Sequence, residues 1–135
     1  MESWLSYIPE KALVRQLERY RISCDFRVKG EPFPGKVFYI RVTTRTTNLV
    51  FALAFPKALS IFLDNMDKRK RAGISGVSAF LNGANRMVSI EGYTTDQGTF
   101  IDLVDHWTAD VVLTLPWCYE LEEMFVRASD FIQAV

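Results

Sequence analysis

The sequence predicts an α+β fold in one domain, 1–135: a single, mainly antiparallel sheet of about six strands with N-terminal, middle and C-terminal helices. Three observations lead there. Short segments of alternating or continuous apolar residues follow one another between turn signals, as antiparallel strands do. Two longer stretches, behind Pro56 and Pro116, repeat apolar residues every three or four positions, as helices lying on a core do. No linker, internal repeat or low-complexity tract interrupts the chain, so no domain boundary is expected.

The elements follow in order. A helical turn is expected at 3–8 and a helix from Pro9 to about residue 21, with Leu13, Leu17 and Tyr20 on one apolar edge. Residues 24–29 alternate strictly and predict a half-buried strand. The run GEPFPG at 30–35 is a turn. Residues 36–43 predict a strand with Phe38, Ile40 and Val42 on one face, and 44–48 a polar turn. Residues 49–55 are apolar throughout and predict a strand buried on both faces. Pro56 opens the middle helix, whose stripe is Leu59, Phe62, Leu63 and Met66. The run Lys68, Arg69, Lys70 and Arg71 ends it, and Gly73 is expected to cap it.

Further strands are expected at 76–81, 87–92, 100–105 and 109–115, with turns at 82–85 and 94–98. The last element is the strongest periodic signal. Residues 117–135 place Cys118, Leu121, Met124, Phe125, Ala128, Phe131, Ile132 and Val135 on one stripe. Glu122, Glu123, Arg127, Ser129, Asp130 and Gln133 take the opposite side. A stripe of eight positions asks for a large apolar surface; left partly open, it would be a dimer face.

Composition bounds the function. The chain is 49% apolar, enough for a proper core. Lys plus Arg and Asp plus Glu stand at 16 each, so no global field draws nucleic acid or anionic membrane. Two cysteines make neither a disulfide framework nor a metal set, and reduced core thiols are expected. The start MESWLSYIPEK has no signal-peptide h-region, and no apolar run is long enough to cross a bilayer. A cytoplasmic setting without membrane contact is the expectation.

The inventory for catalysis is thin. His106, the one histidine, follows Asp105, but strand neighbours point to opposite faces and no nucleophile motif stands near. No phosphate loop or dinucleotide fingerprint is present. The expectation is therefore a non-enzymatic protein, with no catalytic residue, metal or cofactor. What remains is aromatic and basic. Trp4 and Tyr7 share a helical face near the N-terminus, and Trp107 and Trp117 bracket the last strand. Lys68 to Arg71 is the strongest charge feature. It reads either as cations at a helix end or as a contact for phosphates or an acidic partner, which keeps nucleic-acid binding as an alternative.

Ser3-Trp4-x-x-Tyr7 near the start resembles the beginning of profilins. So does the later order: a helix, Val77-Ser78-Ala79-Phe80-Leu81-Asn82-Gly83, a strand, Gln97-Gly98-Thr99-Phe100, a final strand and an amphipathic C-terminal helix. The resemblance implies a protein-binding module. Trp4 and Tyr7 would grip proline-rich ligands beside the C-terminal helix, with Phe131 or Val135 near the rim, and another face would bind actin or an actin-like protein. The order helix, three strands, helix, strands, helix is also similar to class I type III secretion chaperones. That implies a dimer or scaffold holding an extended partner segment on apolar patches. The two resemblances leave monomer and homodimer both open.

Overall fold

A computed structural model describes residues 36–43 and 46–133 in full and residues 21–27 by their backbone. Among the described residues the sheet has seven strands in chain order: β1 (Arg21–Arg27), β2 (Val37–Thr43), β3 (Asn48–Leu53), β4 (Ala72–Leu81), β5 (Ala84–Thr95), β6 (Gly98–Asp105) and β7 (Val111–Pro116). Every neighbouring pair is antiparallel. Helix α1 (Pro56–Asp67) lies between β3 and β4 in the chain, and α2 (Tyr119–Gln133) follows β7. The expected N-terminal helix, with Trp4 and Tyr7, lies outside the described residues. So do the GEPFPG turn and Val135.

Each strand segment read from the sequence is present, one more than the rounded six. Boundaries moved for physical reasons. Arg21, expected to end a helix, is the first residue of β1 and pairs with Thr43. β4 starts at Ala72 rather than at 76, because its glycines do not break it. Gly76, at φ +68°, is the left-handed residue of a bulge that adds one residue to β4 between Ile74 and Val77. β4 and β5 are joined by Asn82 and Gly83 alone, both at positive φ, the tight hairpin turn that suits twisted strands. The Asn82 side chain accepts from the Asn48 amide at 2.7 Å and so ties this turn to β3.

The two helices lie against each other, α1 also against β4 and α2 also against β2 and β1. Leu59, Phe62 and Met66 of α1 and Leu121, Phe125 and Ala128 of α2 are buried. Phe62 and Phe125 stack at 5.7 Å, Trp117 meets both edge-on, and Phe51 supports Phe125 from the sheet. Such ring pairs add about 0.5–1.5 kcal/mol each beyond the area they bury. Gly92 of β5 lets α1 come close, since a Cβ there would run into the Met66 thioether.

Three expectations about the helices are corrected. Pro116 is the last residue of β7, and α2 begins at Tyr119, not at 117. Cys118 stands just before it, its Sγ accepting from the Leu121 amide at 3.4 Å. The basic run lies beyond α1, and Arg69 rather than Gly73 takes the left-handed position, at φ 57°. The Lys70 amide reaches the Asn65 carbonyl at 2.8 Å and the Arg69 amide reaches Met66 at 3.1 Å. This is a Schellman turn closed without glycine. Ser129, expected on the solvated side of α2, is buried and accepts from Gln133, which also donates to Ser60 of α1 at 2.7 Å.

Candidate functional site

β3 and β4 differ in length, 6 residues against 10. They pair only where Leu49 to Ala52 meet Leu81 to Ser78. β5 accompanies β4 along both of its halves. Along 72–77, therefore, β4 has a strand on one side and, among the described residues, none on the other. Two local causes separate the strands. Pro56 carries no amide hydrogen and starts α1 three residues after β3 ends. On the facing side, a bulge at Ser75 and Gly76 interrupts β4 just where its pairing with β3 has ended.

A groove of about 640 Å³ follows from this divergence. Phe55, Pro56, Lys57 and Ile61 line it from the α1 side, and Gly73 and Ser75 from the strand side. Phe55 is 48% and Ile61 54% exposed, two large apolar side chains facing water over a strand edge. Every second residue of such an edge directs its N–H and C=O outward. The chemistry on offer is backbone pairing with apolar anchoring, and Lys57 adds a charge at the rim.

The residues picked from the sequence fall in separate places. Phe131 packs its ring against Phe38 at 6.1 Å, with the Lys36 ammonium 5.2 Å above it and bonded to its carbonyl at 3.2 Å. It is half-buried against the core. Lys68, Arg69, Lys70 and Arg71 are exposed and lead directly into the open half of β4. Lys68 pairs with Asp64 at 3.0 Å and Arg71 faces Glu91 at 3.8 Å. Phe131 and the basic run thus serve different neighbourhoods, β2 for the one and the α1–β4 turn for the other. Trp117 belongs to the core, whereas Trp107 is 81% exposed on the turn after β6.

The ionisable groups with shifted pKa sit elsewhere. Asp105 accepts from the Trp107 and Thr108 amides at 2.9 and 3.0 Å and pairs with Arg86 at 3.2 Å. The backbone bonds from Thr108 and Trp107 hold its carboxyl below the usual range. His106, beside it, stacks edge-on with Trp107. Asp102 accepts from Tyr93 at 2.9 Å and Thr114 at 2.8 Å, which offsets its position directly opposite Glu91. Burial, then Asp102, push the Tyr93 phenol up. Burial pushes the Cys118 thiol up to about 12. Among the described residues no group of three His, Cys, Asp or Glu is arranged to hold a metal, and no helix is long and apolar enough to cross a membrane.

The groove was missed because its residues looked like ordinary core. Phe55 closed an apolar run that read as continuous strand. Ile61 carried the available signal: it is apolar but stands off the stripe of Leu59, Phe62, Leu63 and Met66. No protein-family model, no curated protein and no solved structure matches this chain.

Proposed function

We propose that this protein is a non-enzymatic binding module that takes an extended segment of a partner protein along the open half of β4. One observation carries the reading: a strand edge that has no neighbouring strand among the described residues, flanked by the exposed side chains of Phe55 and Ile61. An extended peptide supplies the missing backbone donors and acceptors, and its alternate side chains reach the apolar wall. The groups with shifted pKa support a non-catalytic reading. Asp105 holds a turn, Tyr93 holds Asp102, and Cys118 is buried at the start of α2. A proline-rich ligand gripped by Trp4, Tyr7 and Phe131 is the competing partner. Phe131, however, gives its ring to Phe38 and Lys36 rather than to an open surface.

The test is selection of a random dodecamer phage library on the full chain, followed by titration of the enriched peptides. Binding is expected to the wild type and to fall at least about ten-fold in Ile61→Asp, since a buried unpaired carboxylate costs more than 1.4 kcal/mol. Amides in 72–77 should gain protection from hydrogen exchange when peptide binds. No enriched sequence, or equal binding to Ile61→Asp, would overturn the reading.

A further inference from the structure

We infer that the segment held beside β4 carries acidic residues on the C-terminal side of its apolar anchor, read by the basic turn that leads into the strand. This rests on the function proposed above and deepens it. The positive groups at the groove are Lys57 on its wall and the run Lys68, Arg69, Lys70 and Arg71 at its end. The carboxylates facing them are Asp64, held by Lys68, and Glu91, opposite Arg71; Asp67 is exposed at the last residue of α1. Arg69 and Lys70 form no ion pair among the described residues, so the groove's end keeps a positive excess in a chain whose formal net charge is +0.

The run is also fixed in place. The Schellman turn holds Arg69 and Lys70 by backbone bonds to Met66 and Asn65, and Arg71 is the residue before β4. A charge cluster on a hydrogen-bonded turn presents the same positions to every ligand, unlike one on a fraying helix end. Direction follows from the sheet. All its pairs are antiparallel. A segment continuing that pattern runs along β4 from the Val77 end towards Ala72. Its N-terminal part then lies by the end of β3, its apolar residue between Phe55 and Ile61, and its C-terminal part at Arg71 and Lys70. Partners of this geometry have an apolar residue followed by Asp or Glu.

The experiment compares library selections on the full-length wild type and on the Arg69→Glu/Lys70→Glu variant. The wild type is expected to enrich an apolar residue with Asp or Glu following it, and the variant to enrich Lys or Arg at the same positions. Wild-type affinity for its acidic peptide should drop roughly ten-fold on the variant, the sum of two exposed charge contacts and their reversal. It should also weaken between about 0.05 and 0.5 M salt. Neutral or basic flanks, acidic residues before the anchor, or one consensus on both proteins would overturn the inference while leaving the groove itself standing. Peptides that bind Ile61→Asp unchanged would remove both. A single-stranded oligonucleotide is the third probe. If it binds with steep salt dependence, loses affinity on Arg69→Glu/Lys70→Glu and ignores Ile61→Asp, the basic turn belongs to nucleic acid and the inference fails.

Discussion

Arg69 occupies a backbone conformation that costs an L-residue with a Cβ about 1–2 kcal/mol. It does so because the turn from α1 into β4 needs a left-handed residue and none of its neighbours is glycine. Arg69→Gly removes that cost and adds about 0.5–1 kcal/mol of unfolded-chain entropy to be lost. A net gain of roughly 0.5–1 kcal/mol is expected, read as a higher urea midpoint with unchanged slope. Cys118 makes a second prediction at this scale. Burial, opposed in part by the Leu121 amide, raises its pKa from an ordinary 9.0 to about 12. The folded state then holds the proton where the unfolded chain has released it. The stability from the buried neutral thiol is complete below pH 9 and is lost as pH rises towards about 12. Unfolding titrations of Cys118→Ala should show a shallower alkaline decline than the wild type. The buried thiol was legible, since Cys118 stands on the apolar stripe of the last helix, but the left-handed Arg69 was not. A four-residue basic run reads as a helix end, and whether the chain turns left-handed inside it depends on where β4 must begin.

At the level of elements the sequence was largely readable. Alternating or continuous apolar runs located every strand segment, and the repeat of Leu121, Phe125 and Ala128 identified the buried face of α2. The misreadings cluster at glycine, proline and the paired termini. Gly73 and Gly76 look like breakers in isolation, but the hydrogen bonds of β5 carry β4 through them. Pro116 looks like a helix opener, but it sits at a strand end opposite Phe100. The weight of α2 rests on Phe125, which is fully buried and touches the rings of Phe51, Phe62 and Trp117. Phe125→Ala should cost about 3–5 kcal/mol, the range for a large ring removed from a tight core. That is a large share of the total stability of about 5–15 kcal/mol usual for a domain. A smaller loss in chemical denaturation would mean that α2 can settle into the space the ring leaves.

For the molecule as a whole, the distinctive feature is a mismatch: two neighbouring strands of unequal length, with a helix leaving the shorter one. Residue patterns do not encode it, because it depends on strand ends, and those shift by a few residues with tertiary pairing. The mismatch also separates what holds the fold from what is exposed by it. Phe62 and Ile61 are adjacent in α1, yet one is at 0% and the other at 54% exposure. Core substitutions such as Phe125→Ala act on stability, and ligand affinity should change only through the fraction folded. Ile61→Asp should do the reverse. It removes an apolar side chain already half in water and adds a charge that remains solvated in the free protein, so stability should stay within about 0.5 kcal/mol of the wild type. Urea unfolding and peptide titration on the same samples read the two effects separately. If Ile61→Asp unfolds the protein as Phe125→Ala does, Ile61 is part of the core and the groove loses its wall. If it loses peptide binding at wild-type stability, the open half of β4 is a surface that the fold can spare for a partner.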